Sequence, residues 1–107
     1  MEYIGRIEKD QKLCMNENGI IIFGAGERLE SLLEKLEKLC IKDRVVCICD
    51  NHLEKHGKEL EGIKIVSPDY AFSHYENSSY IAYNQFRLEI CRQLVDRKIQ
   101  RIHLIRD

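Results

Sequence analysis

The chain has 107 residues, 44% of them apolar and 33% charged, with a formal net charge of −1. That length suits one domain with a single core, and the interleaved charges lack the clustered basic excess of a nucleic-acid or anionic-membrane binder. No apolar run nears the roughly 18–20 residues of a membrane span, the N-terminus lacks a signal peptide's apolar run, and an odd count of five cysteines favours reduced thiols in a cytoplasmic protein.

Residues 1–18 are expected to form an N-terminal helical segment packing on the sheet. Ile4, Ile7, Gln11 and Cys14 would line up if 3–14 were helical. Gly19-Ile20-Ile21-Ile22-Phe23 is apolar along its length, the pattern of a central parallel strand covered on both faces. Leu29, Leu32, Leu33, Leu36 and Leu39 then recur at three and four, one stripe of a helix. Glu34 and Lys38 stand four apart with the acid first, the favourable order. Arg44 to Asp50, "RVVCICD", reads as a second buried strand, and Asn51 to Gly62 as loop with a helical turn.

Ile63 to Val66 is a short third strand. Ser67 is an N-cap candidate, Pro68 fits the first helical position, and Asp69 favours the positive end of the helix. A fourth strand, Ser79 to Tyr83, precedes a helix from about Phe86 to Arg97, whose apolar positions are Phe86, Ile90, Cys91, Leu94 and Val95. Arg101 to Ile105 is the last strand. Alternating strands and helices with right-handed crossovers imply an α/β three-layer αβα domain, with a five-stranded parallel sheet in the order 3-2-1-4-5. The Leu-rich helix falls on one face and the two later helices on the other. The first face is then under-covered beside the last two strands, a gap for the N-terminal segment or a second subunit to fill.

Gly24-Ala25-Gly26 follows a buried strand and opens a helix. In that context Gly24 permits a tight turn and Gly26 admits a phosphate. The N–H groups of Ala25, Gly26, Glu27 and Arg28 would point at the anion, and Arg28 would add a charge-assisted contact. The third glycine of the dinucleotide fingerprint is replaced by Leu29, which argues against ordinary NAD binding. The competing reading is a bare turn that needs glycine only for its dihedrals. Asp50 ends the second strand where an acid would meet ribose hydroxyls, or makes an Asx turn. Asn84 and Gln85 border the same crevice as a polar edge for a base or sugar, with Tyr83 as a stacking candidate.

Cys47-x-Cys49-x-x-His52-x-x-x-His56 has the residue types of a zinc site, but two of them sit inside a buried strand, so core thiols and surface imidazoles are expected. Cys40 and Cys91 fall on or beside apolar stripes and are expected to be buried. His103 alternates with apolar neighbours in a strand. No nucleophile with its base and no paired carboxylates are apparent.

The pattern "IIIFGAGE", followed by "VVCICDNHLEKHGKELEGIKIVSPDYAF" and a further strand, helix and strand, resembles a small Rossmann-like domain over residues 19–105. Such a domain stands at the N-terminus of sugar O- and N-acyltransferases of the bacillosamine and sialic acid type. Similar units belong to nucleotide-sugar epimerase/dehydratases and to some sugar methyltransferases. The most specific portion is Asp50-Asn51, Lys55, Gly57, Gly62 and Val66-Ser67-Pro68. The resemblance implies a nucleotide or nucleotide-sugar ligand, with a UDP-sugar favoured over NAD or CoA, held by Gly24, Gly26, Asp50 and Asn51. It places residues 19–107 as a bacterial nucleotide-binding domain in carbohydrate metabolism. The β-helix hexapeptides that hold acetyl-CoA are absent, and so is an epimerase Tyr-x-x-x-Lys. The expectation is a binding module without catalysis of its own, serving a separate transferase or forming a homodimer. The alternatives are a protein-interaction module with a degenerate fold and an excised domain of a larger sugar-modifying enzyme.

Overall fold

The computed structural model describes residues 2–5, 18–83 and 86–105. In chain order the elements are β1 (Glu2–Gly5), β2 (Ile20–Phe23), α1 (Leu29–Lys38), β3 (Val45–Cys49), β4 (Glu59–Leu60), β5 (Ile63–Val66), α2 (Pro68–His74), β6 (Ser79–Ala82), α3 (Arg87–Asp96) and β7 (Ile102–Ile105). Two 3₁₀ turns, Lys42–Arg44 and Leu53–Lys55, flank β3.

The strands form one sheet in the order β1-β7-β6-β2-β3-β5-β4. All neighbours are parallel except β4 and β5, which are antiparallel. The expected five-stranded parallel sheet is therefore corrected to a seven-stranded mixed one, and its full order differs accordingly. Within it, the five anticipated strands run β5-β3-β2-β6-β7. The two additions sit at the edges.

At one edge, Glu2–Gly5 pairs with β7 as a strand, where a helix was expected to begin. The rest of that expected helix, residues 6–17, lies outside the described residues. At the other edge, β4 and β5 join through Glu61 and Gly62, both at positive φ. That is a two-residue hairpin turn whose twist matches its strands.

Alternation along the strands divides the core. Ile20, Ile22, Ile48 and Ile81 pack with Leu29, Leu32, Leu33 and Leu36 of α1 on one face. Ile21, Phe23, Tyr80 and Leu104 pack with Ala71 and Phe72 of α2 and Ile90 and Leu94 of α3 on the other. The helices thus lie on the faces expected of them. On the face beside the last two strands, Ile81, His103 and Ile105 are buried.

Several positions expected on apolar faces are exposed, Val95 of the α3 stripe among them at 49%. Phe86 caps α3 instead of joining its stripe and is 56% exposed. Val46 is the extra residue where the register between β2 and β3 shifts, so it leaves the buried run and is 43% exposed.

α1 and α3 end alike. The amides of Cys40 and Ile41 donate to the carbonyls of Glu37 and Leu36, and those of Lys98 and Ile99 to Val95 and Leu94. Cys40 and Lys98 both have φ of 62°, the left-handed position of a Schellman ending that glycine occupies without strain. Cys40 is consequently exposed, not buried as expected, and Cys91 is half-buried. Lys98→Gly is expected to stabilise the protein by about 0.5–1 kcal/mol, measured as a higher Tm.

Candidate functional site

The C-terminal ends of β2 and β3 are adjacent because those strands pair in register, Phe23 opposite Cys49. The residues after them, Gly24-Ala25-Gly26 and Asp50-Asn51, therefore meet at one sheet end. Gly24 has φ of 116°, which its lack of a Cβ permits. Its amide donates to the Cys49 carbonyl at 2.7 Å.

Asp50 is 5% exposed, and its carboxylate is engaged from several sides. One oxygen accepts from the Ala25 N–H at 2.7 Å, and Lys55 Nζ lies 3.8 Å away from it. The other accepts from the His52 amide and from His52 Nδ1–H, both at 2.7 Å. Burial by itself would raise the Asp50 pKa. The amides of Ala25 and His52, the His52 ring and the Lys55 charge outweigh it and hold the carboxyl below its ordinary value.

The surrounding loop is clipped to the same point. His56 Nε2–H donates to the Asp50 carbonyl at 2.6 Å, and Lys55 Nζ donates to the Ala25 carbonyl at 3.0 Å. Asp50 thus acts first as a clamp between the glycine turn and the loop after β3. Of the two expectations for Asp50, the bond from the His52 amide to its side chain is that of the Asx turn.

One of the four expected anion-facing amides, that of Ala25, is consequently occupied. Gly26, Glu27 and Arg28 are exposed residues, and their amides have no acceptor among the described residues. No side chain caps the start of α1. A Cβ at Gly26 would meet nothing within 4 Å, and its φ is not positive. Neither internal packing nor backbone strain demands glycine there.

The Arg28 guanidinium lies over the Tyr83 ring at 5.8 Å, and Tyr83 itself is packed into the α1 face of the core. Tyr83 is therefore a support for Arg28, not an open stacking platform. Asn51 forms a reciprocal amide pair with Gln93 of α3, at 3.1 and 3.0 Å. Glu27 is exposed beside the turn. Asn84 and Gln85 lie outside the described residues.

Sequence reasoning missed the roles of His52, Lys55 and His56 around Asp50. The Asp-x-His spacing of an Asx turn was the available signal. Cys47 and Cys49 lie in the core on the α2 and α3 face, with burial pushing the Cys47 thiol up to about 12 and that of Cys49 well above its ordinary value. Among the described residues, no group of three or more His, Cys, Asp or Glu is placed to hold a metal ion. An open groove of about 500 Å³ lies at the opposite strand ends, lined in part by Cys40, Lys42, Val45, Glu61 and Ile63. None of the expected site residues lines it. Among the described residues, no helix is long and apolar enough to cross a membrane.

No curated protein matches the sequence. A family model described as C2185-like, N-terminal, matches residues 16–105, and the chain belongs to that family.

Proposed function

We propose that this chain is a Rossmann-like module that binds a nucleotide or nucleotide-sugar, with a UDP-sugar favoured over NAD or CoA. The transfer chemistry would then belong to a separate sugar-modifying enzyme. The observation that carries the reading is the row of three open amides, Gly26, Glu27 and Arg28, at the uncapped start of α1. Helix dipole and unpaired N–H groups together favour a phosphate at such an end. Lys55 and Arg28 supply cations nearby, and the Asp50 charge that would repel a phosphate is already offset by the donors around it. The resemblance to sugar acyltransferase and epimerase/dehydratase domains, with its expectation of a bacterial and cytoplasmic setting, supports the same ligand class.

Gly26→Val separates this reading from a bare turn. The open space at Gly26 means the variant should fold with little loss of stability, while its side chain occupies the volume a phosphate would need. Wild-type protein with UDP-sugar at about 100 times Kd should gain about 2.7 kcal/mol, read as a thermal shift, and the variant should gain none. UDP-sugars, NAD, CoA, AMP and S-adenosylmethionine form the panel. No shift with any of them at millimolar concentration contradicts the proposal.

A second reading has its own observation. The Ala25 amide is spent on Asp50, and the Tyr83 ring is covered by Arg28, as in a fold that has lost its ligand and serves as a protein-interaction module. On that reading Gly26→Val leaves partner binding and self-association intact.

A further inference from the structure

The binding reading uses His52 only through its Nδ1–H, as one donor to Asp50, and leaves its Nε2 without a task. His52 has a side chain 64% exposed, yet one face of its ring is fixed. Its Nδ1–H donates to Asp50 Oδ1 at 2.7 Å, and its own amide donates to the same oxygen at 2.7 Å. The carboxylate cannot swing away, because its second oxygen holds the Ala25 amide at 2.7 Å. The neutral imidazole therefore carries its proton on Nδ1 and presents the Nε2 lone pair. That nitrogen has no partner among the described residues. A buried carboxylate that fixes the tautomer and stabilises developing imidazolium charge is the arrangement that activates histidine in hydrolytic sites.

We propose that His52 is a nucleophilic imidazole, positioned by Asp50, whose Nε2 acts on activated esters presented at the C-terminal ends of the strands. In the first step Nε2 attacks the ester carbonyl carbon. The bond to the leaving alcohol breaks with its electron pair, and the alkoxide takes a proton from water. The acyl-imidazolium keeps its Nδ1–H on the Asp50 carboxylate. The hydroxide so formed then cleaves the acyl–nitrogen bond, releases the carboxylic acid and restores the neutral imidazole, so one ester and one water become one acid and one alcohol. Asp50 touches no reacting atom and is a positioning residue. The charged and titratable groups gathered around the pair are Lys55 and His56. The inference does not depend on nucleotide binding.

His74 is an internal control. It is also a surface histidine whose Nδ1–H donates, but to the Tyr70 carbonyl at 2.9 Å, and its ring stacks on Tyr70 with centroids 4.0 Å apart. The test is steady-state hydrolysis of p-nitrophenyl acetate by the full chain across pH 5–9, after any single burst from thiols. His52→Gln is expected to lower the protein-catalysed rate about a hundredfold, the lower end for a positioned catalytic side chain, and His74→Gln to leave it unchanged. Asp50→Asn should lower kcat with KM little changed, since the ring loses the carboxylate that fixes it, and Asp50→Glu, which keeps the charge, should restore part of kcat. An unchanged rate in His52→Gln, or equal losses in both histidine variants, overturns the proposal. A kcat indifferent to Asp50→Asn and Asp50→Glu overturns the positioning role.

Discussion

Replacing Asp50 with alanine is expected to destabilise the protein by about 3 kcal/mol, the scale of removing a buried, hydrogen-bonded charge and stranding its donors. The carboxylate accepts from the Ala25 and His52 amides and the His52 ring, and faces Lys55. Its loss leaves the Ala25 N–H unpaired and unclips the loop after β3 from the glycine turn. At roughly 4–8 °C per kcal/mol for a domain of this size, the Tm should fall by at least about 12 °C. Asp50→Asn keeps the shape but not the charge and should cost less.

The same group sets an acid limb. In the fold the Asp50 carboxyl lies below its ordinary value, so the native state stays ionised at a pH where the unfolded chain has taken up a proton. Its contribution is complete above about pH 4, the ordinary carboxylate value, and is lost as pH falls through the lowered native value. Urea midpoints measured from pH 6 to 2 should show this decline in the wild type, and it should be flatter in Asp50→Asn.

Tyr80→Ala is the other large effect, at about 4 kcal/mol, typical of emptying a buried aromatic site. Tyr80 is 0% exposed, and its ring centroid lies 5.8 Å from that of Phe72. Its hydroxyl donates to the carbonyls of Ala71 and Tyr75, both at 3.0 Å. α2 has only seven residues, too short to be stable alone, and Tyr80 ties its last turn to the sheet. Burial raises the phenol pKa above its ordinary value, so the hydroxyl stays protonated and donating. Tyr80→Phe keeps the packing and loses only the tie. It should cost about 1–2 kcal/mol, with faster amide exchange confined to Ala71–Tyr75.

What could be read beforehand follows the physics of each segment. The continuous apolar runs at Ile20–Phe23 and Val45–Cys49 announce two strands, the first buried throughout and the second from Cys47 on, and the leucine spacing announces α1. Ser67-Pro68-Asp69 announces the start of α2, and the Ser67 hydroxyl does accept from the Tyr70 amide. β1 and β4 carry no such signal. Four residues, Glu-Tyr-Ile-Gly, and two, Glu-Leu, become strands by backbone pairing to an existing edge, which side-chain pattern does not encode. The meeting of Asp50 with the glycine turn was legible from strand order. The full set of its carboxylate contacts was not, because that depends on a hydrogen bond spanning 25 residues and on the ring of His52, which looks like an ordinary surface side chain.

The most direct measurement is an amide proton–nitrogen NMR titration of the full chain with a UDP-sugar. The nucleotide-binding account predicts that the resonances of Gly26, Glu27 and Arg28 move first and saturate together, while Ala25, already bonded to Asp50, moves less. Unmoved resonances at those three residues, or changes centred on the groove beside Cys40 and Glu61, would contradict it.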